Sequence, residues 1–157
     1  MKIGIDLGGS HIGIGIVQEG NILEKQEIDI TEEMLKQGNV QSYIEKYILE
    51  QIHSLLQKYE IELIGVASPG TPKDGKVTNM VNLGIEELEI VNIIKKVFQG
   101  SIQVKNDAKC AALAEKTYGS LKQYKDAVFL CLGTGIGGSI FMQGQELKPI
   151  RNSGFEI

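Results

Sequence analysis

The 157-residue chain is the size of one domain, or of one domain and a piece of another, since domains commonly run about 100–200 residues. Its 42% hydrophobic and 23% charged residues exclude a disordered or collagen-like polymer, and 20 acidic against 16 basic residues, a net charge of −4, give no basic footprint for a nucleic-acid backbone. Cys110 and Cys131 lack metal-ligand spacing, no apolar run nears the ~18 residues of a membrane span, and Asp6 comes too early for a signal peptide, so a reduced, cytoplasmic setting is expected, with neither nucleic acid nor membrane as partner.

Residues 3–7, 12–17 and 22–30 are Ile/Val-rich runs separated by Gly8-Gly9-Ser10 and Glu19-Gly20-Asn21, which predicts a three-stranded antiparallel meander. From Val40 to Tyr59 the apolar residues Val40, Ile44, Tyr47, Ile48, Ile52, Leu55 and Tyr59 recur at three- and four-residue steps, which predicts a long helix covering one sheet face. His53 falls off that stripe and is read as a surface residue. Leu63 to Ala67 reads as a buried strand, stopped by Ser68-Pro69-Gly70 and followed by a loop. Leu88, Val91, Ile94 and Phe98 predict a second amphipathic helix, with the acidic run Glu86-Glu87-Leu88-Glu89 as its first turn. Ile102 to Val104 is a short strand, and Ala108 to Tyr118 an alanine-rich helix entered through Asn106 as N-cap.

After Gly119-Ser120 the pattern restarts. Val128 to Leu132 and Ile136 to Met142 are strands flanking a glycine turn, and Gln143-Gly144-Gln145 is a further turn. This repeats the opening meander in layout, so residues 1–120 are expected to form one lobe and 121–157 the start of a related second one. A hairpin with no sheet to join exposes Val128, Leu130, Ile136 and Ile140 beside a free edge, which predicts self-association of the isolated chain.

The chemistry concentrates in two glycine turns and one aspartate. Asp6-Leu7-Gly8-Gly9-Ser10 puts a carboxylate near a strand end, then two residues without side chains and a hydroxyl; backbone N–H groups in such a turn can close on phosphate oxygens. Gly9 is expected to adopt φ > 0 and to bring backbone against an anion. Gly133-Thr134-Gly135-Ile136-Gly137-Gly138-Ser139 has the same ingredients without the carboxylate. Neither is a Walker loop or a dinucleotide fingerprint, since no Lys-Ser/Thr follows and each leads into a strand. Asp107, one residue past a helix N-cap, faces the dipole and first-turn N–H groups, both of which favour its ionised form.

Together these motifs resemble the ROK family of bacterial glucokinases and related hexose or N-acetylhexosamine kinases, over nearly the whole chain. Asp6 to Gly15 is similar to the family's first phosphate motif, with Ser10 in place of threonine, and Gly133 to Ser139 to its second. Gly65-Val66-Ala67-Ser68-Pro69-Gly70 resembles the sugar-side loop and Val81-Asn82-Leu83-Gly84 the Asn-Leu-Gly segment. Asn106-Asp107-Ala108 matches the catalytic signature, with Lys105 where the family has glutamate. Ser153-Gly154-Phe155-Glu156-Ile157 resembles the segment whose glutamate binds sugar hydroxyls, with Phe155 in place of glycine; the histidine and zinc-binding cysteines that follow in the family lie past Ile157, so structural zinc is expected only in full-length members.

The resemblance implies an α/β, actin-like ATPase (ribonuclease H-like) lobe with a mixed five-stranded sheet, plus the first hairpin of a second lobe. It implies an ATP- and Mg²⁺-dependent transfer of phosphate to a hexose hydroxyl, with the chain inactive alone and the protein a homo-oligomer. Asp107 is the implied catalytic base. Ser68, Gly70, Asn82, Asn106 and Glu156 would contact sugar; Asp6, Gly8, Gly9, Ser10, Gly133, Thr134 and Gly135 would hold ATP, and Asp6 would hold Mg²⁺ through water. A non-catalytic, sugar-responsive transcription regulator of the same family and an actin-like ATPase are the alternatives; regulators carry a helix-turn-helix ahead of the first motif, whereas the first strand here starts at Lys2-Ile3. His11, beside the first turn, is read as a surface or packing residue, and the two cysteines as small core residues.

Overall fold

Strict alternation of isoleucine with small or polar residues builds the first two strands. In the computed structural model, which describes residues 1–132 and 136–147, β1 (Lys2–Leu7) and β2 (His11–Gln18) bury Ile3, Ile5, Leu7, Ile12, Ile14 and Ile16. Their register stacks Ile3 on Ile16, Ile5 on Ile14 and Leu7 on Ile12, so one face is a continuous apolar layer. β3 (Asn21–Asp29) follows through Glu19 and Gly20, both at positive φ (51° and 82°), the two-residue turn whose twist suits a hairpin.

A short helix, α1 (Glu32–Lys36), comes next and was absent from the sequence reading. Its signal is Thr31, whose hydroxyl accepts the Met34 N–H at 3.3 Å, followed by Glu32 and Glu33 in the first turn. α2 (Val40–Leu56) is the expected long helix, ending three residues before Tyr59. Val40, Ile44, Ile48, Ile52 and Leu55 are buried along it, each such burial contributing about 1.5–3 kcal/mol against exposure. His53 is exposed, as read. The helix is tied to β3 through Glu24, which accepts from the Lys58 ammonium at 3.2 Å and the Tyr59 hydroxyl at 3.1 Å; these two donors hold its carboxyl below the ordinary range.

β4 (Leu63–Ser68) runs parallel to β1, with Ile64 beside Ile3 and Val66 beside Ile5. The segment after it departs from the expected loop. β5 (Thr71–Lys73), β6 (Lys76–Met80) and β7 (Ile85–Leu88) form a three-stranded antiparallel sheet in the order β5-β6-β7, with a 3-10 turn at Val81–Leu83 between the last two strands. Asp74 and Gly75 (φ 52° and 84°) make the same two-residue hairpin as Glu19-Gly20.

The acidic run Glu86-Glu87-Leu88-Glu89 is therefore not a helical turn: its first three residues lie in β7, and Glu89 precedes α3 (Ile90–Ile94). Charge pairing across strands explains the placement, since the Lys76 ammonium lies 2.8 Å from Glu87 and 2.9 Å from Glu89. The second helix is correspondingly short, with Leu88 in a strand and Phe98 packed beyond the helix end.

β8 (Ser101–Asn106) completes a five-stranded mixed sheet in the order β3-β2-β1-β4-β8, the sheet expected. α4 (Asp107–Thr117), β9 (Ala127–Leu132), β10 (Ile136–Met142) and β11 (Gln145–Glu146) follow, the strands in the order β11-β10-β9. Chain proximity divides the molecule into residues Met1–Lys105 and Asn106–Ile157; α4 goes with the second unit because it packs on β9 and β10.

Within that second unit Val128 and Leu130 are each 62% exposed and Leu132 76%, with Ile136 also exposed and Ile140 half-buried rather than exposed. Cys110 and Cys131 are half-buried, not core residues. Six uncharged residues from Ala127 to Leu132 on an outer strand give no charge to repel a second strand. We expect sedimentation of the isolated chain to show mass rising with concentration; a concentration-independent monomer would contradict this.

Candidate functional site

β1 and β4 run parallel, so their carboxyl ends lie side by side, with Asp6 paired to Ala67. Each strand leads directly into one of the loops singled out in the sequence: Gly8-Gly9-Ser10 after β1, and Pro69-Gly70 after Ser68. Carboxyl ends of strands in open α/β sheets are where ligands are commonly met.

The first glycine turn is braced from within. The Gly8 N–H donates to the His11 carbonyl at 2.8 Å, and the Ile30 N–H donates to the Ser10 carbonyl at 2.7 Å. The amides of Gly9 and Ser10 come next along the turn. The Ser10 hydroxyl lies 3.3 Å from His11 Nδ1, and His11 Nε2 lies 3.8 Å from the Asp6 carboxylate. His11, half-exposed in keeping with a surface or packing residue, thus stands between the two side chains expected to meet phosphate and magnesium. Its place at the start of β2, two residues before Gly13, the cross-strand partner of Asp6, and so on the same face of the sheet, was the available signal.

Gly9 does not take the positive φ expected of it. The missing side chain is a matter of space, because a Cβ at Gly9 would come 3.1 Å from Asn82 Cβ. Asn82 belongs to the 3-10 turn Val81–Leu83, which Gly84 closes at φ 64°. The fold therefore brings the first glycine turn close beside the Asn-Leu-Gly segment.

Ser68 is buried, and its hydroxyl donates to the Pro69 carbonyl at 3.1 Å. Gly70 sits at φ 84°, its Cα against the Thr78 and Asn79 carbonyls of β6 so closely that no Cβ fits. This loop is thereby locked to the small sheet.

In the second unit, Asn106 caps α4: its Oδ1 accepts the Lys109 N–H at 3.2 Å, and its residue is 8% exposed. Asp107 opens the helix with Oδ1 accepting the Ala108 N–H at 2.8 Å. A Cβ at Gly137 would lie 2.6 Å from Ala108 Cβ, so this glycine lets the first turn of α4 seat on β10. Gly133, Thr134, Gly135 and Glu156 lie outside the described residues.

Among the described residues no group of three or more His, Cys, Asp and Glu side chains converges. Magnesium, however, is usually held by one or two carboxylates together with substrate phosphates, a role within reach of Asp6 beside a turn of small residues. No helix among the described residues is long and apolar enough to cross a membrane.

Residues 2–149 match the model of the ROK family. The chain is 30% identical over 159 residues to a glucokinase of Thermotoga maritima, covering 99% of this chain and 49% of that protein. Among solved structures it is similar to a ROK family glucokinase from Streptomyces griseus in complex with glucose and AMPPNP, with a TM-score of 0.80, 24% identity, and 99% and 48% of the two chains covered. It is similar in fold, too, to a ROK family transcriptional regulator homologous to the Escherichia coli MLC protein, at a TM-score of 0.81, 24% identity, and coverage of 98% and 39%. The chain spans about half the length of the curated relatives it matches.

Proposed function

Because the chain belongs to the ROK family, we propose that it supplies the base-bearing part of an ATP-dependent hexose kinase, acting on glucose or an N-acetylhexosamine. In this reading residues 1–120 make one actin-like lobe, although its last helix, α4, packs on the hairpin that follows, and a second begins at 121; the protein is cytoplasmic and homo-oligomeric. The observation that carries the reading is Asp107 at the start of α4, fixed by the 2.8 Å bond from the Ala108 N–H and preceded by the capping Asn106.

Asp107 accepts the proton of the sugar hydroxyl as that oxygen becomes a nucleophile, and its bond to the Ala108 amide leaves the second carboxylate oxygen to meet the hydroxyl. Asn106 orients the sugar, assisted by Ser68, Gly70, Asn82 and Glu156. Asp6, Gly8, Gly9, Ser10, Gly133, Thr134 and Gly135 are the residues this reading assigns to the phosphates, with Asp6 also meeting magnesium. Bound ATP·Mg²⁺ supplies the phosphoryl group and offsets its charge. The remaining work is positioning, which is the larger part of catalysis in phosphoryl transfer.

The regulator reading draws support from likeness of fold. Asp107 taken with both glycine turns favours the kinase, since a sensor that only binds sugar needs no turns for a nucleotide's phosphates. ADP release should be followed in a protein of full family length carrying this chain, with ATP·Mg²⁺ and a panel of hexoses. Release that depends on one of the sugars is expected. Release without sugar would indicate an actin-like ATPase, and sugar binding without release a regulator.

A further inference from the structure

We propose that Asn82 is a positioning residue for the first glycine turn, the point at which segment 81–84 bears on Gly9, so that the two segments respond as one unit. The inference rests on the reading above for its functional meaning, in which one segment faces sugar and the other phosphate; the mechanical coupling stands on the geometry alone.

The φ of Gly9 lies outside the left-handed region, so nothing in it demands glycine. What crowds a side chain there is Asn82, with Cβ at 3.1 Å, Cγ at 3.7 Å and Nδ2 at 3.6 Å from the place a Gly9 Cβ would take. The Asn82 side chain is exposed, but its Cβ, the nearest of these atoms, moves only with the backbone that carries it. Asn82 stands on a 3-10 turn whose flanking residues Met80, Leu83 and Ile85 are buried in the core, 0%, 3% and 5% exposed. The glycine turn is held from its other side by the Gly8–His11 and Ile30–Ser10 backbone bonds. An approach this close between two braced segments transmits displacement when either backbone shifts, because the Asn82 Cβ is fixed to its turn. An anion drawn into the turn would therefore press on Asn82, and a sugar moving Asn82 would press on the turn; linkage makes the effect reciprocal.

The test uses this chain labelled for NMR, as wild type, Gly9→Ala, Asn82→Gly and the double variant. Gly9→Ala is expected to shift the Asn82 side-chain amide and the backbone amides of residues 81–84. Asn82→Gly is expected to shift residues 8–11, and the double variant to return the turn toward its wild-type signals. Changes confined to residues 7–12 in Gly9→Ala, or purely additive shifts in the double variant, would overturn the proposal. Mg²⁺·AMPPNP titrated into the same samples separates the two readings. If it binds wild type, affinity should fall in Gly9→Ala and recover in the double variant, and failure to recover would count against the coupling. If it leaves wild type untouched, the nucleotide role of the turn fails in this chain, and the coupling is decided by the ligand-free shifts.

Discussion

Asp107→Asn is expected to lower kcat for sugar phosphorylation by about 10²–10⁴ in a protein of full family length carrying this chain, the usual contribution of a positioned general base. The asparagine keeps the shape and an oxygen able to accept the Ala108 N–H, so the start of α4 is retained. It loses the charge that takes the proton. KM for the sugar should change far less than kcat, because the hydroxyl contact survives while the step made only in the transition state does not. Steady-state kinetics with circular dichroism as a folding control measure this. A kcat within about tenfold of wild type would remove Asp107 from the chemistry.

Gly70→Ala should be the most damaging of the single-methyl additions. At φ 84° an alanine costs about 1–3 kcal/mol in backbone strain, and here its Cβ would also collide with the Thr78 carbonyl. Relief requires β6 to move away from the loop after β4, which disturbs the pairing of Thr71 with Thr78 and carries Asn79 and Met80 with it. Urea unfolding of the isolated chain should show a loss at the upper end of that range or beyond. A loss below about 0.5 kcal/mol, the scale of an ordinary surface change, would mean that the turn has room the close approach denies.

What the sequence made legible follows from how each element is stabilised. The β1–β2 pair and α2 were readable because burial and periodicity agree: Ile3, Ile5, Leu7, Ile12, Ile14 and Ile16 alternate, and Val40, Ile44, Ile48, Ile52 and Leu55 recur at helical steps. The β5-β6-β7 sheet was missed although Asp74-Gly75 is as strong a hairpin signal as Glu19-Gly20. Its strands are short, and Asn79, at φ 60°, interrupts the alternation. Ile85 and Leu88 are buried three residues apart with Glu86 and Glu87 exposed between them, a spacing that imitates a helix. Only the partner strand carrying Lys76 resolves the ambiguity, and partners are not visible in local pattern.

The site divides similarly. The Asn106 cap and the glycine turn after β1 could be read from residue types, since capping and turn chemistry are local. The close approach of Gly9 to Asn82 joins residues far apart in the chain, and the crowding at that glycine could not be seen without it. His11 was legible in position but not in direction, because strand pairing decides that its ring turns toward Asp6 and Ser10.

The central claim is that a hexose leaves this protein carrying a phosphoryl group. Mass spectrometry of a reaction containing a full-length family protein built on this chain, ATP·Mg²⁺ and the hexose panel reads that product directly. The account predicts one hexose phosphate formed in step with ADP, and its near disappearance with Asp107→Asn. ADP formed with no sugar phosphate, or a sugar phosphate formed equally well by Asp107→Asn, would contradict it.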